Sequence, residues 1–168
     1  MIDFTKFFFI YGLGVSGKSV VKFLRNYKYS FSARDDNELK NNFLLKNEYC
    51  ENNKIIKMIN KSSYIVVSPS INVDLHPILY KFKDKVITDI DILGSLIPNN
   101  VKVIGITGTE GKSSVCNYLN EILNQKCKSI LLGNIGKMIL HKKNIKNVIK
   151  KYDYIIFELS SYQLDKIK

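Results

Sequence analysis

Twice in this 168-residue chain a short apolar run is followed at once by glycines and then by apolar residues at helical spacing. A strand that ends in a glycine turn and feeds an amphipathic helix commits the chain to parallel strand pairing, because the crossover helix must pack back onto the sheet. The first unit is Phe7–Tyr11, then Gly12, Gly14 and Gly17, then Val20, Val21, Leu24 and Tyr27 on one helical face. The second is Val101–Ile106, a second glycine cluster, and then Val115, Leu119, Ile122 and Leu123. Further strands are expected at Tyr29–Ala33, Tyr64–Ser68, Lys85–Thr88, Ser129–Leu132 and Tyr154–Glu158, with a helix inside Lys137–Ile149. Pro98-Asn99-Asn100 breaks the pattern and divides the chain into residues 1–97 and 98–168. The expected class is α/β with parallel sheets.

The glycines point to phosphate. Gly12-Leu13-Gly14-Val15-Ser16-Gly17 fits G-x-G-x-x-G between a strand and a helix. Such a turn leaves the backbone bare for a diphosphate and aims a helix N-terminus at it, so residues 1–97 read as a Rossmann-like domain. Asp35, 21 residues beyond Gly14, stands where an acid accepts from ribose hydroxyls, with Asp36 a neighbouring candidate. The alternative for both is capping. In Gly105-Ile106-Thr107-Gly108-Thr109-Glu110-Gly111-Lys112-Ser113-Ser114 the loop N–H groups can cradle phosphates. Lys112 can neutralise terminal phosphoryl oxygens, and the Ser113 hydroxyl suits Mg²⁺. Ile106 stands where the strict phosphate-loop pattern has its first glycine, so the loop is a variant. Residues 98–168 therefore read as the first part of a P-loop ATPase domain. Glu158, ending a strand beside that loop, is a candidate for holding a metal at the nucleotide, and Asn134 ends another strand on the same side.

Composition excludes other classes. The chain is 45% apolar and 24% charged, so it is globular and not disordered. The net charge of +11 raises the question of nucleic acid, but only Arg25 and Arg34 are arginines and the lysines are scattered. Groove recognition uses clustered arginines and aromatic platforms, so no nucleic-acid partner is expected. Cys50, Cys116 and Cys127 have neither zinc nor disulfide spacing, which suits a reducing cytoplasm. No apolar run approaches the length of a membrane span.

The residues also resemble the Mur ligases. Gly-Leu-Gly-x-Ser-Gly-x-Ser is met at Gly12 to Ser19, and Ser-Pro-Gly-Ile appears as Ser68-Pro69-Ser70-Ile71. His76-Pro77 and Asp89-Ile90-Asp91-Ile92-Leu93 resemble the segments that close the family's first domain. Gly108 to Ser114 resembles its Gly-Thr-Asn-Gly-Lys-Ser-Thr, and Glu158 to Leu164 reads Glu-Leu-Ser-Ser-Tyr-Gln-Leu, a segment typical of the D-glutamate-adding branch. The resemblance implies an ATP- and Mg²⁺-dependent cytoplasmic ligase of peptidoglycan synthesis. It would join D-glutamate to UDP-N-acetylmuramoyl-L-alanine through an acyl phosphate. Carried over by position, Gly12, Gly14, Val15, Ser16, Gly17, Asp35, Asp36, Ser70 and Asn134 would hold the UDP substrate. Gly108, Thr109, Glu110, Gly111, Lys112, Ser113 and Ser114 would hold ATP. Lys112 and Glu158 would be catalytic, and Ser113 and Glu158 would hold the metal. Two positions depart from the family, Ser70 for a glycine and Glu110 for an asparagine. Members of the family carry a carbamylated lysine, adenine contacts and a glutamate-binding domain beyond the segments matched. The expectation is an incomplete ligase, inactive alone, or a noncatalytic or split-enzyme module whose remainder is a separate chain. Its last strand, Tyr154–Phe157, is then expected to lack cover.

Overall fold

The computed structural model describes residues 2–133, 140–164 and 167. Four parallel strands, β1 (Phe8–Tyr11), β2 (Phe31–Arg34), β3 (Tyr64–Val67) and β4 (Val86–Ile87), form a sheet in the order β2-β1-β3-β4. Phe8 lies opposite both Phe31 and Tyr64, and Tyr11 opposite Arg34 and Val67. All four residues of β1 are buried, which is why this strand is an unbroken apolar run: a central parallel strand is covered on both faces. Alternation then sorts its side chains. Phe8 and Ile10 pack with α1 (Val15–Asn26), whose Val20, Val21, Phe23 and Leu24 are all fully buried, while Phe9 and Tyr11 pack with Ile55 and Ile59 of α3 (Ile55–Lys61). A short helix, α2 (Glu38–Asn41), follows β2.

Strand β2 begins two residues later than the sequence pattern suggests. Lys28 takes a left-handed φ of 56° and the Tyr29 N–H reaches back to the Leu24 carbonyl at 2.9 Å, so these residues are still closing α1. After β4, helix α4 (Asp89–Ser95) opens with a reciprocal cap. The Thr88 hydroxyl accepts from the Asp91 N–H, and the Asp91 carboxylate accepts from the Thr88 N–H at 2.7 Å.

A second sheet contains β5 (Lys102–Ile106), β6 (Ser129–Gly133) and β7 (Tyr154–Glu158), all parallel, in the order β5-β7-β6. Helices α5 (Lys112–Asn124), α6 (Ile145–Ile149) and α7 (Ser161–Leu164) belong to this half. Ile145 and Ile149 of α6 and Ile155 and Phe157 of β7 join the same buried cluster as Phe8 and Leu24, so apolar packing is continuous from one sheet to the other.

Two expectations need correction. Strand β7 is not left uncovered: it is central in its sheet, and Ile155, Ile156, Phe157 and Glu158 are buried. The open element is β5, which among the described residues pairs only with β7 and leaves Val103 half exposed. On α5 the buried position is Cys116, whereas Val115, Tyr118 and Ile122 stand exposed. Period alone cannot tell which of two apolar stripes faces a sheet. Among the described residues no helix is long and apolar enough to cross a membrane.

Hydrogen exchange should follow pairing rather than chain order. Amides of Phe8–Tyr11 and Tyr154–Glu158, each with neighbours on both sides, should exchange at least tenfold more slowly than those of Lys102–Ile106. Protection of all three strands to the same degree would mean that the β5 edge is covered in solution.

Candidate functional site

Two candidate ligand mouths lie at the carboxyl ends of the two sheets, where parallel α/β folds bind. At the first, the chain leaves Tyr11, turns through Gly12 with φ of +96° and enters α1 at its N-cap Gly14. A Cβ on Gly17 would sit 1.9 Å from the Gly12 carbonyl oxygen, so α1 can start this close to β1 only through glycine. No acidic residue occupies the first turn of α1, and no side chain caps it. The end of a 12-residue helix, at Val15, Ser16 and Gly17, therefore has the geometry that could take an external anion.

Neighbouring elements pin this turn. Ser68, just past β3, donates its hydroxyl to the Gly12 carbonyl at 3.0 Å, and the Gly12 N–H donates to the Arg34 carbonyl at 2.8 Å. Asp35, at the end of β2, accepts from the Leu13 N–H at 2.6 Å through Oδ2 and from the Asn37 N–H at 2.9 Å through Oδ1. Lys40 pairs with it at 3.4 Å, and it is only 7% exposed. Burial pushes the Asp35 carboxyl up, but the two N–H bonds and the lysine outweigh it and hold the group below the usual aspartate value. Asp36, one residue on, is exposed and accepts from the Tyr11 hydroxyl at 2.6 Å. Ser70 is exposed in the turn that follows Ser68, where the Ile71 N–H returns to the Ser68 carbonyl at 3.0 Å.

The structure adds Asp89 to this mouth, a residue the spacing did not single out. It begins α4, is 5% exposed, and lies against Ser16. Burial drives its carboxyl up, opposed by the Ser16 hydroxyl and by the N–H groups of Asp89 and Ile90. Its Oδ1 has no partner among the described residues.

At the second mouth β5 runs into an exposed loop, with Gly108 at φ +152° and Gly111 at φ +73°, and α5 begins at Lys112. The Lys112 ammonium donates to the Gly108 carbonyl at 2.6 Å and to that of Thr109 at 3.1 Å, folded over its own loop. Thr109, Glu110 and Ser114 are exposed around it. The Ser113 hydroxyl donates to Glu158 Oε1 at 3.0 Å, joining the start of α5 to the end of β7. Glu158 is 1% exposed, and its Oε2 has no partner among the described residues. A Cβ on Gly133, paired with Glu158 across β6 and β7, would lie 2.2 Å from the Glu158 carbonyl oxygen, so glycine there lets β7 finish beside β6. Asn134, the next residue, lies outside the described residues.

A buried carboxylate oxygen without a partner, beside a serine hydroxyl, is a hard-oxygen donor set that fits Mg²⁺. The described residues contain no cluster of three or more His, Cys, Asp or Glu able to hold an ion without help. Nucleotide phosphate and water would therefore complete the shell around Ser113 and Glu158. Of the sequence candidates, the structure brings Lys112, Ser113 and Glu158 together at this mouth, and Gly12 to Gly17, Asp35 and Asp36 at the other.

Asp35 gives a pH signature. Its folded pKa is lowered, so its contribution is complete above the unfolded value of about 3.9 and is lost as pH falls through the folded value beneath it. Asp35→Asn should lower stability at pH 7 by about 1–3 kcal/mol and remove that acid-limb dependence, as read by urea unfolding between pH 7 and 3. An unchanged acid limb would show that the Leu13 and Asn37 bonds do not hold Asp35.

Residues 106–168 match the Mur ligase middle domain. Over 161 residues, 92% of this chain, the sequence is 35% identical to UDP-N-acetylmuramoylalanine--D-glutamate ligases of Francisella philomiragia subsp. philomiragia and Francisella tularensis subsp. novicida, covering 34% of each. The chain thus spans about a third of the length of the curated relatives it matches. The crystal structure of a UDP-N-acetylmuramate:L-alanyl-gamma-D-glutamyl-meso-diaminopimelate ligase from Neisseria meningitides aligns with 92% of this chain and 52% of its own, at 13% identity and a TM-score of 0.47, a likeness too faint to carry an argument. The chain is thus similar to these ligases over most of its length, and its residues 106–168 are similar to the Mur ligase middle domain.

Proposed function

We propose that this chain contributes the UDP-substrate mouth and the phosphate loop of an ATP-dependent ligase that joins D-glutamate to UDP-N-acetylmuramoyl-L-alanine in peptidoglycan synthesis. The observation that carries this reading is the 3.0 Å contact between Ser113 and the buried Glu158, next to Lys112 at the head of α5. In a glycine loop that placement brings a cation, two metal-binding oxygens and a helix N-terminus to one point, the parts that phosphoryl transfer needs.

On this reading the diphosphate of UDP-N-acetylmuramoyl-L-alanine rests on the N–H groups at Val15, Ser16 and Gly17. The uridine lies toward Asp35, Asp36 and the Ser70 turn, and Asn134 helps position the muramoyl part. ATP phosphates rest on Gly108, Thr109, Glu110 and Gly111 and on the first turn at Lys112, Ser113 and Ser114. The alanyl carboxylate attacks the γ-phosphorus, the bond to the β–γ bridging oxygen breaks, and ADP leaves. The amine of D-glutamate then attacks the acyl carbon, gives up a proton and expels inorganic phosphate. Lys112 moves from the Gly108 and Thr109 carbonyls onto the γ-phosphoryl oxygens and neutralises charge that grows in the transition state. Mg²⁺ held through Ser113 and Glu158 supplies further neutralisation. Glu110 adds a negative charge beside the phosphates where the family's asparagine adds none, so Glu110→Asn should tighten ATP binding. Substrates of this kind belong to the cytoplasm.

Titration calorimetry tests the reading. ATP should bind in a Mg²⁺-dependent way, Lys112→Ala should weaken it about 10- to 100-fold, and Glu158→Gln should remove the Mg²⁺ dependence. UDP-N-acetylmuramoyl-L-alanine should bind the same protein more tightly than UDP alone. Wild-type affinity in both variants, or no response to either nucleotide, would contradict the assignment.

A further inference from the structure

The two neighbouring aspartates at the end of β2 are not equivalent. Asp35 spends Oδ2 on the Leu13 N–H and Oδ1 on the Asn37 N–H, and it is nearly inaccessible. Asp36 is exposed, and its Oδ1 is fixed by the hydroxyl of Tyr11, a side chain 3% exposed at the end of the central strand. The Tyr11 ring is itself wedged edge-on against His76 with centroids 4.9 Å apart. His76 is held in turn, because its Nδ1 accepts from the N–H groups of Ile78 and Leu79, each at 3.2 Å. Segments leaving the carboxyl ends of β1, β2 and β3 therefore contribute Tyr11, Asp36 and His76 to one cluster beside the glycine turn.

We infer that Asp36, oriented by Tyr11, is the carboxylate that accepts from the ribose hydroxyls of the bound nucleotide, and that Asp35 is a latch on the diphosphate turn. This rests on the reading of the first mouth as a nucleotide site. A carboxylate whose rotamer is already fixed by a buried phenol loses little conformational freedom when a ligand arrives, and Oδ2 has no protein partner among the described residues. Asp35 occupies the usual position for a ribose acid by spacing, but its oxygens already hold the turn in which the diphosphate sits. Tyr11 is a positioning residue: it acts on the ligand through Asp36.

Calorimetry with UDP, 2′,3′-dideoxy-UDP and inorganic pyrophosphate separates these roles. Asp36→Asn should weaken UDP about 10- to 100-fold, leave pyrophosphate unchanged and abolish the preference for UDP over the dideoxy nucleotide. Tyr11→Phe, nearly the same shape, should keep the thermal midpoint close to wild type, weaken UDP severalfold and spare pyrophosphate. Asp35→Asn should weaken UDP and pyrophosphate together while lowering the midpoint. If Asp36→Asn binds UDP like wild type and Asp35→Asn alone loses ribose preference, the inference is overturned and the nucleotide site stands. If wild type binds neither UDP nor pyrophosphate, both fall.

Discussion

A carboxylate at the end of one parallel strand, bonded to the glycine turn or helix that follows the neighbouring strand, is the interaction on which both mouths depend. Asp35 at the end of β2 takes the Leu13 N–H of the turn after β1, and Glu158 at the end of β7 takes the Ser113 hydroxyl at the head of the helix after β5. Each bond bridges strands that are paired in the sheet, and each carboxylate residue is buried. A buried carboxylate is costly without such partners, so loop and strand end hold each other in place. The two differ in what remains. Asp35 has given both oxygens to the chain, whereas Glu158 keeps Oε2 without a partner among the described residues, and on that difference rests the proposal that one is a latch and the other a metal ligand.

Close approach is the second constraint, and it follows from the first. For Asp35 to reach Leu13, α1 must begin beside the end of β1, which puts Gly17 against the Gly12 carbonyl. For Glu158 to end β7 beside β6, Gly133 must pass close to the Glu158 carbonyl. Side chains at these points would push the turns outward and separate the carboxylates from their partners. Gly12 works from the other side, since its own Cβ would meet Ser68 Oγ at 2.6 Å. The strand ends and the first turn are therefore closely packed, an arrangement that would hold an anion site in shape before a ligand arrives.

Much of this was legible in the chain itself. Runs such as Phe7–Tyr11 and Tyr154–Phe157 are apolar because parallel strands are covered on both faces, and the glycines after Tyr11 and Ile106 name the turns. The Lys112, Ser113 and Glu158 group was readable because strand ends on one side of a parallel sheet must converge. What the sequence did not disclose depends on orientation. An acid 21 residues past Gly14 looks the same whether it faces ribose or a backbone N–H, and only the Leu13 and Asn37 bonds distinguish them. Tyr11 and Asp36 are 25 residues apart with no motif joining them, so their 2.6 Å bond appears only when β1 and β2 pair. Asp89 entered the first mouth through α4 meeting α1, a packing event with no local signature. On α5 two apolar stripes share one period, and the sheet chose Cys116 over Val115.

The claim that Glu158 is a ligand while Asp35 is a latch is tested most directly by soaking crystals with Mn²⁺ and a nonhydrolysable ATP analogue and collecting anomalous diffraction. The account predicts a metal peak bonded to both the Ser113 hydroxyl and the Glu158 carboxylate, lost in Glu158→Gln crystals, and none at Asp35. A bound nucleotide whose metal avoids Glu158, or a peak at Asp35, would contradict it.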